Sequence, residues 1–126
     1  MILKVSIRGA LVFFMEKIVA QGILYDFYGQ LLTSHQREVY EQVVYNDMSL
    51  NEIASAEGIS KQAVSDLIKR TTAQMQRYED TLGMIDKFNK IRRSLDELEQ
   101  EADKSTDPLL KQKALRTAEA IRKELI

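Results

Sequence analysis

Residues 50–70 read LNEIASAEGISKQAVSDLIKR: two short apolar-periodic segments flank Glu57-Gly58-Ile59-Ser60, a turn of the length that joins the two helices of a helix-turn-helix. Ser49 is suited to cap the first helix, and Glu52 stands at the spacing that closes a capping box. Ala54 is small where two helix backbones must approach. Gly58 falls where the chain leaves the first helix, a place that calls for positive φ, which costs a glycine nothing. Ile59 is expected to plug the elbow, Ser60 to cap the second helix, and Ile53, Val64 and Leu67 to point into a shared core. Such a motif is built to lay its second helix in a DNA major groove. The candidate nucleic-acid contacts are therefore Ser60, Lys61, Gln62, Ser65, Lys69 and Arg70. Gln62 carries the donor and acceptor that read adenine, Lys61 suits guanine or phosphate, and either serine suits both.

Working outward, a chain of 126 residues allows one domain, or one domain with a helical extension. One proline and five glycines leave little room for a turn-rich β fold, so the expected fold class is all-α. With no cysteine there is no disulfide, thiolate nucleophile or cysteine metal site, as suits a reducing cytoplasm. The net charge of −1 is unevenly spread. Residues 15–81 carry six Lys/Arg against ten Asp/Glu, whereas residues 82–126 carry ten against nine. Since phosphate neutralisation supplies most non-specific DNA affinity, a head at −4 is a poor electrostatic design for tight DNA binding. Yet Lys61, Lys69, Arg70 and Arg77 gather on the second helix, with Asp66 the acid among them.

The opening MILKVSIRGALVFF has an apolar run too short for a signal peptide and no small-residue cleavage site, and no stretch approaches a membrane span. No membrane insertion is expected. Residues 1–14 are read as an N-terminal extension, residues 15–80 as the helix-turn-helix domain and residues 81–126 as a helical tail. Within the head, Glu16 to Leu32 reads as a helix with Ile18, Val19, Ile23, Phe27 and Leu31 inward. Thr33 or Ser34 caps the next helix, with Gln36 at capping-box distance from Thr33. Val39, Val43 and Val44 give that helix its apolar face, and Asn46-Asp47 ends it. Tyr25, Phe27, Tyr28, Tyr40 and Tyr45 are expected to wall the core. The recognition helix should run from Lys61 to Tyr78.

In the tail, Met84, Phe88, Ile91, Leu95, Leu98 and Ala102 recur at heptad spacing for fewer than three repeats. Asp107-Pro108 reads as an N-cap with proline at the first helical position, opening a last helix lined by Leu110, Ala114, Ala118, Ile121 and Leu125. The seam reads as one arm of a helical hairpin. Because Ala114 and Ala118 cover it only partly, Met84, Phe88, Ile91, Leu95 and Leu98 are the candidate interface of a homodimer.

Catalysis finds no support in the sequence. His35, the one histidine, sits in a first turn and reads as a surface residue. There is no glycine-rich phosphate loop, since Gly22, Gly29, Gly58 and Gly83 stand far apart. The carboxylates form no ligand loop. No cofactor and no metal are expected.

From Met15 onward the chain resembles the YlxM family of small bacterial helix-turn-helix proteins. The likeness rests on MEKI at 15–18, LLTSHQREVYEQVVYNDMSLNEIA at 31–54 and GISKQAVSDLIKRT at 58–71. The last two stretches also resemble region four of bacterial sigma factors, in which LT-x-x-Q-R-E precedes the motif. Residues 1–14 depart from the pattern. The resemblance implies a tri-helical, DNA-binding-like head and a helical tail. It further implies a regulatory link to the signal recognition particle, with the particle's protein or RNA as partner. From the sigma pattern it implies that Ser60, Lys61, Gln62 and Ser65 hold the base-reading positions, although that pattern carries more basic residues here. A DNA-binding transcription regulator is the alternative reading.

Overall fold

Capping chemistry sets where four of the helices start. In a computed structural model, which describes the backbone of residues 7–125 and the side chains of residues 16–125, the described residues form six α-helices and no strand. These are α1 (Ile7–Tyr28), α2 (Ser34–Val44), α3 (Leu50–Glu57), α4 (Lys61–Leu82), α5 (Met84–Asp103) and α6 (Pro108–Leu125), with a single 3-10 turn at Gly29–Leu31. The protein is all-α. Its chain divides into two compact units between Leu82 and Gly83.

Thr33 closes a full capping box on α2: its hydroxyl accepts from the Gln36 amide at 3.2 Å, and the Gln36 side chain accepts from the Thr33 amide at 3.0 Å. Ser49 opens α3 by accepting from the Glu52 amide. Here the box is only half made, because the Glu52 carboxylate accepts from the Ser49 hydroxyl instead. The α2–α3 connection turns through Asp47 at φ 52, a left-handed conformation that short polar side chains tolerate. Asp107 caps α6, accepting from the amides of Leu109 and Leu110 with Pro108 at the first helical position.

The core of the first unit is Val39, Tyr40, Ile53, Val64 and Met75, all without solvent exposure, joined by Leu24, Tyr25, Tyr28, Leu32, Ile68 and Thr71. Three expectations need correction here. On α1 the buried face is Leu24, Tyr25 and Tyr28, while Val19 and Ile23, and Leu31 in the 3-10 turn that follows, are exposed. Apolar residues are spread all round this helix, so its periodicity does not select a face. What selects it is that buried tyrosines need hydrogen-bond partners. Tyr25 donates to Glu41 and Tyr28 to Glu79, while Tyr45, largely exposed, donates to Asp26. Second, Leu67 is only half-buried, and α4 packs through Val64, Ile68, Thr71 and Met75. Third, the first helix begins at Ile7 and ends at Tyr28, not at Glu16 and Leu32 as expected. The start of the chain, residues 1–6, lies outside the described residues.

The second unit is an antiparallel hairpin. Leu95 and Ala102 of α5 and Ala118 of α6 are its buried residues. Alanine at the contact lets the two backbones approach, and one edge is tied by Arg122, which donates to Asp96 at 2.6 Å and to Glu99 at 3.0 Å. Leu110 and Ile121, expected inward, are exposed. Leu95 is 4% exposed within one chain, so it serves the hairpin and cannot act as an outward contact. Ile91 and Leu98, at 40% and 41%, stay open.

Candidate nucleic-acid interface

The turn between α3 and α4 is made as its sequence requires. Gly58 has φ 68 and ψ 30, and its amide donates to the Ala54 carbonyl. The Ile59 amide donates to the same carbonyl at 3.1 Å. This left-handed cap reverses the chain in few residues. Ser60 then caps α4, its hydroxyl accepting from the Ala63 amide at 3.0 Å. Ile59, expected to plug the elbow, is 36% exposed and therefore closes it only in part. Ile53 of α3 and Val64 of α4 are fully buried and hold the two helices together. The recognition helix continues to Leu82, a full turn beyond the expected end.

Two polar ties fix α4 against the elements behind it. Gln36 of α2 donates to Gln74 at 3.0 Å, and the hydroxyls of Tyr40 and Thr72 are 2.7 Å apart. Tyr40 stacks on Tyr25 at 5.6 Å, and Tyr25 meets Tyr45 edge-on at 5.5 Å. The tyrosines thus buttress the rear of the helix whose front is solvent-facing. Burial raises the Tyr25 hydroxyl to about 12, helped by the Glu41 carboxylate. The Asp26 carboxylate, more than burial, raises Tyr45 to about 12.

On the front, Ser60, Lys61, Gln62, Lys69 and Arg70 are exposed, whereas Ser65 is half-buried. One departure matters chemically. The Gln62 amide donates to the Asp66 carboxylate at 3.0 Å, so one of its two N–H donors is engaged along its own helix. Asp66 is exposed and places a negative charge between Lys61 and the Lys69–Arg70 pair. The Arg70 guanidinium turns back to the Asp66 carbonyl at 3.4 Å. Arg70 and Arg77 line a shallow groove with Gln36, Leu67 and Gln74, between α2 and α4. That groove went unread in the sequence; the seven-residue spacing of its arginines was the available signal. His35, exposed as expected, lies 3.7 Å from Glu57. Among the described residues no group of His, Cys, Asp and Glu is placed to hold a metal ion, and no helix is long and apolar enough to cross a membrane.

Comparison with known proteins adds an independent finding. A family model described as "Putative helix-turn-helix protein, YlxM / p13 like" matches residues 15–115. The UPF0122 protein of Symbiobacterium thermophilum is 42% identical over 91 residues, spanning 72% of this chain and 85% of that relative. The UPF0122 protein of Halalkalibacterium halodurans is 40% identical over 90 residues, spanning 71% and 83%. That of Acetivibrio thermocellus is 47% identical over 74 residues, spanning 59% and 63%.

Proposed function

Because the chain belongs to the UPF0122 family of YlxM/p13-like helix-turn-helix proteins, we propose that it is a non-enzymatic regulatory protein that works by binding in the cytoplasm. Its head, residues 15–80, holds nucleic acid through phosphate contact more than through base reading. Its tail, residues 81–126, pairs two copies. The observation that carries the reading is the front of α4, where Lys61, Lys69 and Arg70 surround an Asp66 that engages Gln62. Cations at these positions attract a phosphate backbone, and an acid among them opposes close approach to base edges. The partner we propose is the signal recognition particle, through its protein or its RNA, as the resemblance to the YlxM family implies.

A DNA-binding transcription regulator is the second reading. The Ser60 cap favours it, because it fixes the start of α4 in the manner that presents a helix N-terminus to a groove. A pull-down from lysate, with and without nuclease, separates the two. Retention of the particle's protein after nuclease, or of its RNA without it, is the expected result. Sequence-specific DNA binding on the order of nanomolar at physiological salt would instead establish the regulator reading. Weak duplex binding with a salt slope of about 0.9 per phosphate contact, reduced by about one contact in Lys61→Ala or Lys69→Ala, agrees with the first.

A further inference from the structure

Helix α5 is charge-segregated. Its first eleven residues carry Lys87, Lys90, Arg92 and Arg93 against Asp86, and its last nine carry Asp96, Glu97, Glu99, Glu101 and Asp103 with no cation. Leu95 and Ala102 are consumed by the hairpin. At 100° per residue, Lys87, Ile91, Ser94, Leu98 and Glu101 form a second line beside that seam, at spacings of 4, 3, 4 and 3. All five are exposed, Ile91 and Leu98 at 40% and 41%. From the N-terminal end the line reads cation, aliphatic, small, aliphatic, anion. Reversed, it is its own complement.

We propose that this line is the contact of a symmetric dimer in which α5 lies antiparallel to α5 of a second copy, the two-fold axis passing at Ser94. In that register Lys87 meets the partner's Glu101, Ile91 packs on the partner's Leu98, and Ser94 faces its own copy, where its small side chain permits close approach. Each contact occurs twice, as an isologous interface demands. The next ring outward pairs Lys90 with the partner's Glu97. Pairing the helices in parallel would set Lys87 on Lys87 and Glu101 on Glu101, a like-charge arrangement that costs free energy. The competing intrachain ion pairs, Lys90 with Asp86 at 2.9 Å and Lys104 with Glu101 at 3.3 Å, are short-range pairs on exposed side chains and yield readily. A chain complementary to itself in reverse selects a second copy of itself over an unrelated helix. The inference rests on the pairing of tails proposed above and specifies its face, direction and register.

The test uses the full chain, whose lack of cysteine gives a clean background for engineered disulfides. Under mild oxidation Ser94→Cys should cross-link to its own copy in high yield. Lys87→Cys alone should not, yet should cross-link with Glu101→Cys when the two variants are mixed. Glu101→Lys should weaken dimerisation about tenfold, and adding Lys87→Glu should restore it. Helicity by circular dichroism, unchanged in each variant, confirms that these exposed substitutions leave the fold intact. A monomer mass by light scattering at tens of micromolar would overturn both this inference and the pairing of tails. A dimer mass without the Ser94→Cys cross-link, or without charge-swap rescue, would overturn this register alone.

Discussion

At Gly58 an added Cβ would meet no atom within 4 Å, so the whole cost of substitution lies in the backbone, held at φ 68. Gly58→Ala should therefore lower stability by about 1 kcal/mol, read by denaturant or thermal melt, and Gly58→Asn by less because asparagine tolerates this conformation. Gly29 behaves differently. Its Cβ would stand 2.7 Å from the Tyr25 ring, which is itself stacked on Tyr40 and cannot swing aside. Gly29→Ala should cost more than Gly58→Ala, in the range of about 1–3 kcal/mol for an overpacked core. The tyrosines also make stability depend on alkaline pH. The hydroxyls of Tyr25 and Tyr45 are raised from 10.0 to about 12, chiefly by burial for the first and by Asp26 for the second. A group whose folded pKa is raised stabilises the fold fully below its unfolded value and loses that contribution as pH climbs through the folded value. The fold should therefore weaken progressively between pH 10 and about 12. Tyrosinate absorbance should show these two side chains ionising late in the native protein and at ordinary pH in denaturant.

For the recognition helix the prediction concerns charge. Asp66→Lys removes the anion between Lys61 and Lys69 and releases the Gln62 amide. Affinity for generic duplex DNA or RNA should rise, with a steeper salt slope by about one phosphate contact, measured by fluorescence anisotropy at two ionic strengths. Gln62→Ala should change affinity little; a loss comparable to that of Lys61→Ala would mean that Gln62 leaves Asp66 to read a base. In the hairpin, Ala118 has no exposed surface and faces α5. Ala118→Leu forces bulk between closely packed backbones and should cost about 1–3 kcal/mol. Hydrogen exchange should show the largest loss of amide protection in α5 and α6.

Across the whole molecule, a charge of −1 conceals a head at −4 and a tail at +1, with the remaining two cations at Lys4 and Arg8. A head of that sign cannot rely on long-range steering toward nucleic acid, so two linked heads matter more than one: a second contact becomes intramolecular once the first has formed. If the tails pair as proposed, assembly stabilises the folded state by mass action, and the melting temperature of the full chain should rise with protein concentration. A melting point constant over a hundredfold dilution series around the micromolar range would argue for a monomer.

The sequence by itself determined where α2, α3, α4 and α6 begin and how the motif turns, whereas the start of α1 and the end of α4 were not legible in it. Thr33, Ser49, Gly58, Ser60 and Asp107 are local instructions, each satisfied by a hydrogen bond or a dihedral angle within four residues of itself, so no distant contact was needed to read them. Faces were a different matter. On α1 apolar residues surround the helix, and which side entered the core depended on Glu41 and Glu79, from other helices, standing where Tyr25 and Tyr28 could donate to them. On α5 one apolar seam divided into two roles, Leu95 buried within the hairpin and Ile91 and Leu98 left open. The candidate contacts belong with the local features: their positions on α4 were legible from spacing, and Gln62 engages Asp66 four residues further along the same exposed helix. Capping is decided by neighbours in the chain, whereas the face a helix buries is decided by partners that only the tertiary fold brings within reach.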